Sequence, residues 1–122
     1  MGDINNRNDD IVAIRKALGL EESKCRITHP NSFYVIQPIN RNERLHIAHI
    51  ANFNIFNRYN LFFTNCVFEC EFRFTINSST IKFDRCIFEK FVNFNPNRLN
   101  ASFNGDFICK NTIFKDIAYF KK

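Results

Sequence analysis

Few side chains in this 122-residue chain have the chemistry to hold a metal or attack a substrate. Cys66, Cys70, Cys86 and Cys109 are soft ligands of the kind that bind zinc, and Cys25 completes the set of five. Cysteine zinc sites draw on closely spaced pairs, and the Cys66/Cys70 spacing has no matching second pair. His46 and His49 form an H-x-x-H pair whose imidazoles would share one face of a helix, but in an extended segment the odd separation sends them to opposite faces. His29 is remote from both in sequence. Asp9/Asp10 and Glu21/Glu22 are paired carboxylates of the type used in acid–base work, yet they flank a helical pattern where capping and solvation account for them. There is no G-x-S-x-G or H-E-x-x-H motif and no phosphate-cradling loop, for which three glycines leave little room. The expectation is a protein that is not an enzyme, with no catalytic residues, no metal and no cofactor.

The elements that would position any site read as follows. "NDDIVAIRKALGLEE" carries a helix signature over about residues 9–19: Asn8, Asp9 or Asp10 can cap it, Ile11, Ile14 and Leu18 share a face, and Gly19 is the natural stop. "HPNS" at 29–32 is a turn by composition, and "FYVIQPI" is a strand that Pro38 ends or confines to an edge. "RLHIAHIANFNIF" mixes apolar and polar residues without a clear period. From residue 61 the text changes: "FTNCVF" at 63–68 returns as "FDRCIF" at 83–88, in a chain with sixteen phenylalanines.

Rows of twenty place Phe63 on Phe83 on Phe103, Cys66 on Cys86, Phe68 on Phe88 on Ile108, and Phe74 on Phe94 on Phe114. Large apolar positions in the second row, Phe83, Phe88, Phe94, Leu99 and Phe103, are 5, 6, 5 and 4 apart, which suggests four sides per turn. Small or apolar residues stand two before many of them, as in Cys66/Phe68, Ile81/Phe83, Cys86/Phe88 and Thr112/Phe114, so each side is a very short strand with two inward side chains. Twenty residues at about 3.3 Å give a perimeter of at most about 66 Å, an interior that opposing phenylalanines would fill. Turns would then stack about 4.8 Å apart, with phenylalanine and cysteine in continuous internal columns.

"CVF", "CIF", "ASF", "ANF" and "AYF" resemble the small-x-Phe unit of the pentapeptide-repeat family, over about residues 48–120. The resemblance implies a mainly β fold: a short right-handed four-sided β-helix, about three 20-residue coils at 46–122, with residues 1–45 as an N-terminal cap containing the helix, all in one compact domain. Arg73 and Ser78 at strict five-residue positions depart from the pattern. Gly105 marks a register slip that turns Phe107 and Cys109 inward and leaves Asp106 in solvent. The alternative is an α+β fold with an antiparallel sheet, because "CVFECEFRF" at 66–74 alternates as one half-buried strand would.

Seventeen Lys and Arg against twelve Asp and Glu give a net charge of +5, which suits an acidic protein or nucleic acid as partner. The resemblance implies a rigid binding surface, and hence a non-enzymatic protein-interaction module, an inhibitor or immunity-type protein that meets an acidic partner through its basic β-helix face. The charge has the wrong sign for the DNA mimicry by which some members of that family occupy gyrase. Arg73, Arg85, Lys90, Arg98 and Lys110 form the expected contact face. A nucleic-acid-binding module using the same bases is the alternative. Tyr59, Phe91 and Tyr119 are then the rings left for base stacking. The polar start lacks a signal-peptide pattern, no apolar run is long enough to span a bilayer, and five unpaired-looking cysteines suit a reducing compartment, so the expectation is a cytoplasmic protein with no membrane contact. Two glycosylation triplets, at Asn77 and Asn100, are expected to arise by chance in an asparagine-rich chain.

Overall fold

The computed structural model describes residues 2–73, 79–93 and 107–119, with the backbone alone for 2–7, 107 and 119. The chain opens with helix α1 (Gly2–Ala17), which starts well before the expected residue 9. Asp10 lies inside it and does not cap it; its carboxylate instead accepts hydrogen bonds from the hydroxyls of Tyr34 (2.5 Å) and Tyr59 (3.2 Å). Ile14, Ala17 and Leu18 are buried, Ile11 is half-buried, and Val12 points to solvent. Gly19 ends the helix at φ +62°, where its N–H donates to Lys16 O and the Leu20 N–H reaches back to Arg15 O. That pair of bonds satisfies the last carbonyls, and it needs a left-handed residue that glycine supplies without a Cβ clash.

Strand β1 (Cys25–Thr28) and strand β2 (Tyr34–Pro38) form an antiparallel hairpin, with Ile27 opposite Ile36 and Cys25 opposite Pro38. In the connection, the Phe33 N–H donates to Asn31 Oδ1, the local bond that makes asparagine a turn residue. Pro38 ends β2 and does not force it to an edge, since β2 is paired on both sides. After β3 (Leu45–Ile47) comes a one-turn helix, α2 (Ile55–Arg58), which buries Ile55 and Phe56. Next come β4 (Leu61–Thr64), β5 (Cys66–Phe68) and β6 (Phe72–Arg73); then β7 (Ile81–Asp84), β8 (Ile87–Phe88) and β9 (Val92–Asn93); and last β10 (Phe107–Lys110), β11 (Ile113–Phe114) and β12 (Ala118–Tyr119).

These strands make three sheets: A in the order β1-β2-β4-β7-β10, B in the order β11-β8-β5-β3, and C in the order β12-β9-β6. Apart from the β1–β2 hairpin, every strand pair among the described residues is parallel. Sheets A and B already include β2 and β3, which precede or straddle residue 46. Over its described residues, 66–73, the stretch "CVFECEFRF" is therefore not one strand of an antiparallel sheet. It divides into β5 and β6 around Glu69 and Cys70, and each half pairs with a different sheet.

Stacking follows the inward alternation. Phe63 lies over Phe83 with centroids 5.5 Å apart and planes at 12°, and Phe68 lies over Phe88 at 4.8 Å and 8°. Neighbouring columns meet edge to face, as Phe63 does with Phe68 and Phe68 with Phe72. Aromatic quadrupoles favour this mixture of offset stacks and T-shaped contacts. The third pass does not keep the twenty-residue step. Phe107 pairs with Ile81, Cys109 with Phe83, and Phe114 stacks on Phe88 at 5.0 Å. Ile108, expected in the Phe88 column, is opposite Lys82 and points outward. Phe74, Ser78, Phe94, Leu99, Phe103, Gly105 and Asp106 lie outside the described residues, as do both glycosylation triplets except Ser79.

Candidate functional site

Cys25, Cys66 and Cys86 are core residues and Cys70 is half-buried, whereas Cys109, expected to turn inward, is exposed even though it lies opposite Phe83 in register. Cys66 and Cys86 have no exposed surface, and their Sγ atoms face backbone oxygens: Thr64 O at 3.4 Å for Cys66, and Phe63 O and Asp84 O at 3.4 Å for Cys86. Burial pushes the Cys66 thiol well above its ordinary value, with a hydrogen bond to Cys86 acting in the same direction. Burial also raises Cys25, against the opposing pull of the Arg15 guanidinium 2.8 Å from its sulfur. Protonated, buried thiols are poor nucleophiles and poor metal ligands. Among the described residues, no group of three His, Cys, Asp or Glu is placed to hold a metal ion. His46 and His49 are both exposed, and His46 Nδ1 lies 3.1 Å from Glu69 Oε2.

Of the five bases expected to form one contact face, the structure brings Arg85 and Lys110 together. The Arg85 N–H donates to Lys110 O across the corner between sheets A and B. Lys90 is exposed in the bend between β8 and β9, at the opposite edge of sheet B. Arg73 lies on sheet C, 3.4 Å from Glu71 and with its guanidinium 4.9 Å from the Phe91 ring centre, so Phe91 is covered and not offered for stacking. Tyr59 is likewise tied to Asp10, and burial raises the pKa of its hydroxyl, followed by the Asp10 charge. Arg98 lies outside the described residues, as does the Tyr119 side chain.

The A/B corner has a feature of its own. Its corner residue in successive passes is Asn65, Arg85 and Asn111, with φ of 59°, 56° and 49°. A left-handed conformation crowds the Cβ of an L-residue, and asparagine tolerates it better than most because its side chain bonds locally. Here both asparagine side chains bond to residues far back along the chain, Asn65 Nδ2 donating to Glu43 O and Asn111 Nδ2 to Asp84 Oδ1. Among the described residues the Arg85 side chain makes no such bond. Its side chain is 69% exposed, with Nε 3.9 Å from Asp84. Arg44, which composition alone did not single out, reaches the same corner and donates from Nη1 to Arg85 O at 3.0 Å. Three cations, Arg44, Arg85 and Lys110, thus share one ridge with Glu43 and Asp84.

A cleft of about 600 Å³ opens below this ridge, between the segment after α1 and the segment joining β2 to β3. Leu20, Pro38 and Ile39 supply its apolar lining, and Lys24 and Arg44 its cationic rim, with His46, Glu21 and Glu43 beside them. Compared with known proteins, the chain matches no family model, no curated protein and no solved structure.

Proposed function

We propose that this chain is a non-enzymatic protein-interaction module, an inhibitor or immunity-type protein that docks an acidic partner on the ridge formed by Arg44, Arg85 and Lys110. In this reading the three sheets are sides of a short right-handed four-sided β-helix of the pentapeptide-repeat kind, with residues 1–45 as its cap. Successive in-register parallel pairing, with like residue over like, supports that architecture.

The observation that carries the functional reading is Arg85. It occupies a left-handed corner where the passes before and after use asparagine, and it leaves its guanidinium largely in solvent. A poorly suited residue held in a strained conformation is a signature of selection for something other than stability. The ridge cations sit at strand ends, Arg44 just before β3, Arg85 just after β7 and Lys110 at the end of β10, which limits the ordering cost of binding.

The test is affinity capture with the full chain, comparing wild type with the double variant Arg85→Glu/Lys110→Glu. Capture of one acidic protein, weakened by salt and lost by about tenfold or more in the variant, is the expected result. A nucleic acid that binds with a steep salt dependence, or a protein partner whose capture ignores both charge reversals, would replace this reading.

A further inference from the structure

The end of sheet B nearest the cap is formed by β3, which has a partner on one side only, β5. The Leu45 N–H donates to Asn65 O, and Ile47 O accepts from the Glu69 N–H, so both residues direct their backbone groups toward β5. Backbone groups of successive strand residues point to opposite edges, and the register places His46 opposite Val67 between those bonds. The N–H and C=O of His46 therefore face away from β5, and among the described residues neither has a hydrogen-bond partner. That edge borders the cleft of about 600 Å³, which His46 and Leu45 both line.

An unpaired strand edge is a template for another strand, and folded proteins normally cover or blunt it. Here it borders an open cleft whose volume falls within the roughly 300–1,000 Å³ of ordinary ligand sites. We infer that the cleft binds an extended peptide segment of a partner protein, which joins sheet B as an added strand beside β3 and exchanges two backbone hydrogen bonds with His46. The inference rests on the protein-binding reading above and names a second, separate contact.

The chemistry of the peptide follows from the walls. The peptide residue opposite His46 points outward, as His46 does, and its two neighbours point inward toward Leu20, Pro38 and Ile39. Ile39 is 45% exposed, an apolar side chain that an inward apolar residue would cover. Outward positions pass Lys24 and Arg44, which favour a carboxylate, while Glu21 and Glu43 on the same rim disfavour a run of them. The occupant is an extended segment that alternates apolar and polar residues, with an acidic residue facing the Lys24–Arg44 side.

His46→Pro tests this with little else disturbed. Proline removes the His46 N–H from the free edge of β3, and it is tolerated where a strand's N–H is not used by the sheet. His46→Ala keeps the N–H and removes only the imidazole. Peptides selected from a random dodecapeptide phage library on the full wild-type chain would be synthesised with blocked ends and titrated against all three proteins. The expected result is alternating apolar and acidic peptides that lose about tenfold or more in affinity for a folded His46→Pro chain and stay within about threefold for His46→Ala. Their binding should also slow exchange of the His46 amide in the wild type. Failure to select any peptide, equal binding to His46→Pro, or equal loss in both variants would overturn strand addition. So would failure of His46→Pro to fold, since that N–H would then already be in use. If Arg85→Glu/Lys110→Glu loses the captured protein while His46→Pro retains it, the ridge reading stands and the strand-addition inference fails.

Discussion

Phe68 is the residue on which the packing argument can be broken most cleanly. Its ring is fully buried, stacked 4.8 Å over Phe88 and edge-on to Phe63, Phe72 and Phe83 at 5.1, 5.2 and 5.6 Å. Truncation to alanine leaves a void of about 100 Å³, which at roughly 24 cal/mol per Å³ is ~2.4 kcal/mol, on top of ~2 kcal/mol of lost transfer free energy. The neighbours have little freedom to collapse into the void, because their own positions are set by the parallel pairing of β4, β5, β7 and β8. The cost should therefore be about 4–5 kcal/mol, a large share of the roughly 5–15 kcal/mol that holds a domain of ordinary stability. Two controls give the number its meaning. Cys66→Ala removes one buried sulfur from the same strand and should cost about 1 kcal/mol, and Phe114→Ala, whose half-buried ring stacks on Phe88, about 1–2 kcal/mol. Urea unfolding followed by far-UV circular dichroism reads all three, with the slope checked for constancy. If Phe68→Ala falls within about 1 kcal/mol of Cys66→Ala, the interlocked columns do not carry the fold and the stacking argument is wrong.

Arg85→Gly should raise stability by about 0.5–1 kcal/mol, seen as a higher Tm, because glycine occupies φ 56° without strain. The same substitution should weaken partner capture. Asp10→Ala leaves the hydroxyls of Tyr34 and Tyr59 without their shared acceptor and should cost about 1–3 kcal/mol, measured by urea unfolding; a neutral result would mean those bonds do not anchor α1. Deleting residues 1–22 strips Ile14, Ala17 and Leu18 from the core and should give aggregation on gel filtration, whereas a soluble folded truncation would show that the helix is dispensable. Stability should fall as pH rises above the ordinary thiol value of 9.0. Burial raises the folded-state pKa of Cys66 and Cys25, so the unfolded chain loses those protons first and is favoured in alkali. Cys66→Ala should flatten that fall in urea midpoint.

What could be read from residues alone was decided by which features are local and which depend on register. The helix stop at Gly19, the strand ending at Pro38 and the Cys66/Cys86 and Phe68/Phe88 stacking were all legible, because each rests on a turn residue or on strict two-residue alternation. β1 went unread because four residues of mixed polarity at 25–28 become a strand only by pairing with β2. A strict period of twenty puts Ile108 in the Phe88 column, whereas the expected register slip before Phe107 agrees with the pairing of Phe107 with Ile81 and Cys109 with Phe83. "CKNTIF" at 109–114 is the true successor of "FTNCVF" and "FDRCIF", with threonine in the cysteine position and the step from β7 to β10 lengthened to twenty-six. Aligning those three motifs also places Asn65, Arg85 and Asn111 in one column. That alignment was available as a signal, but its meaning was not, since nothing in "TNC", "DRC" and "KNT" states that the middle residue is left-handed. Arg44 and the free edge of β3 were beyond reach for a different reason. A guanidinium that crosses 41 residues to a carbonyl, and a strand with one paired side, are consequences of stacking order that periodicity does not encode. The basic residues follow the same division. Their number was countable, but their separation into a ridge at one edge of sheet B, with Lys90 at the other and Arg73 held on sheet C, required the corners to be placed first.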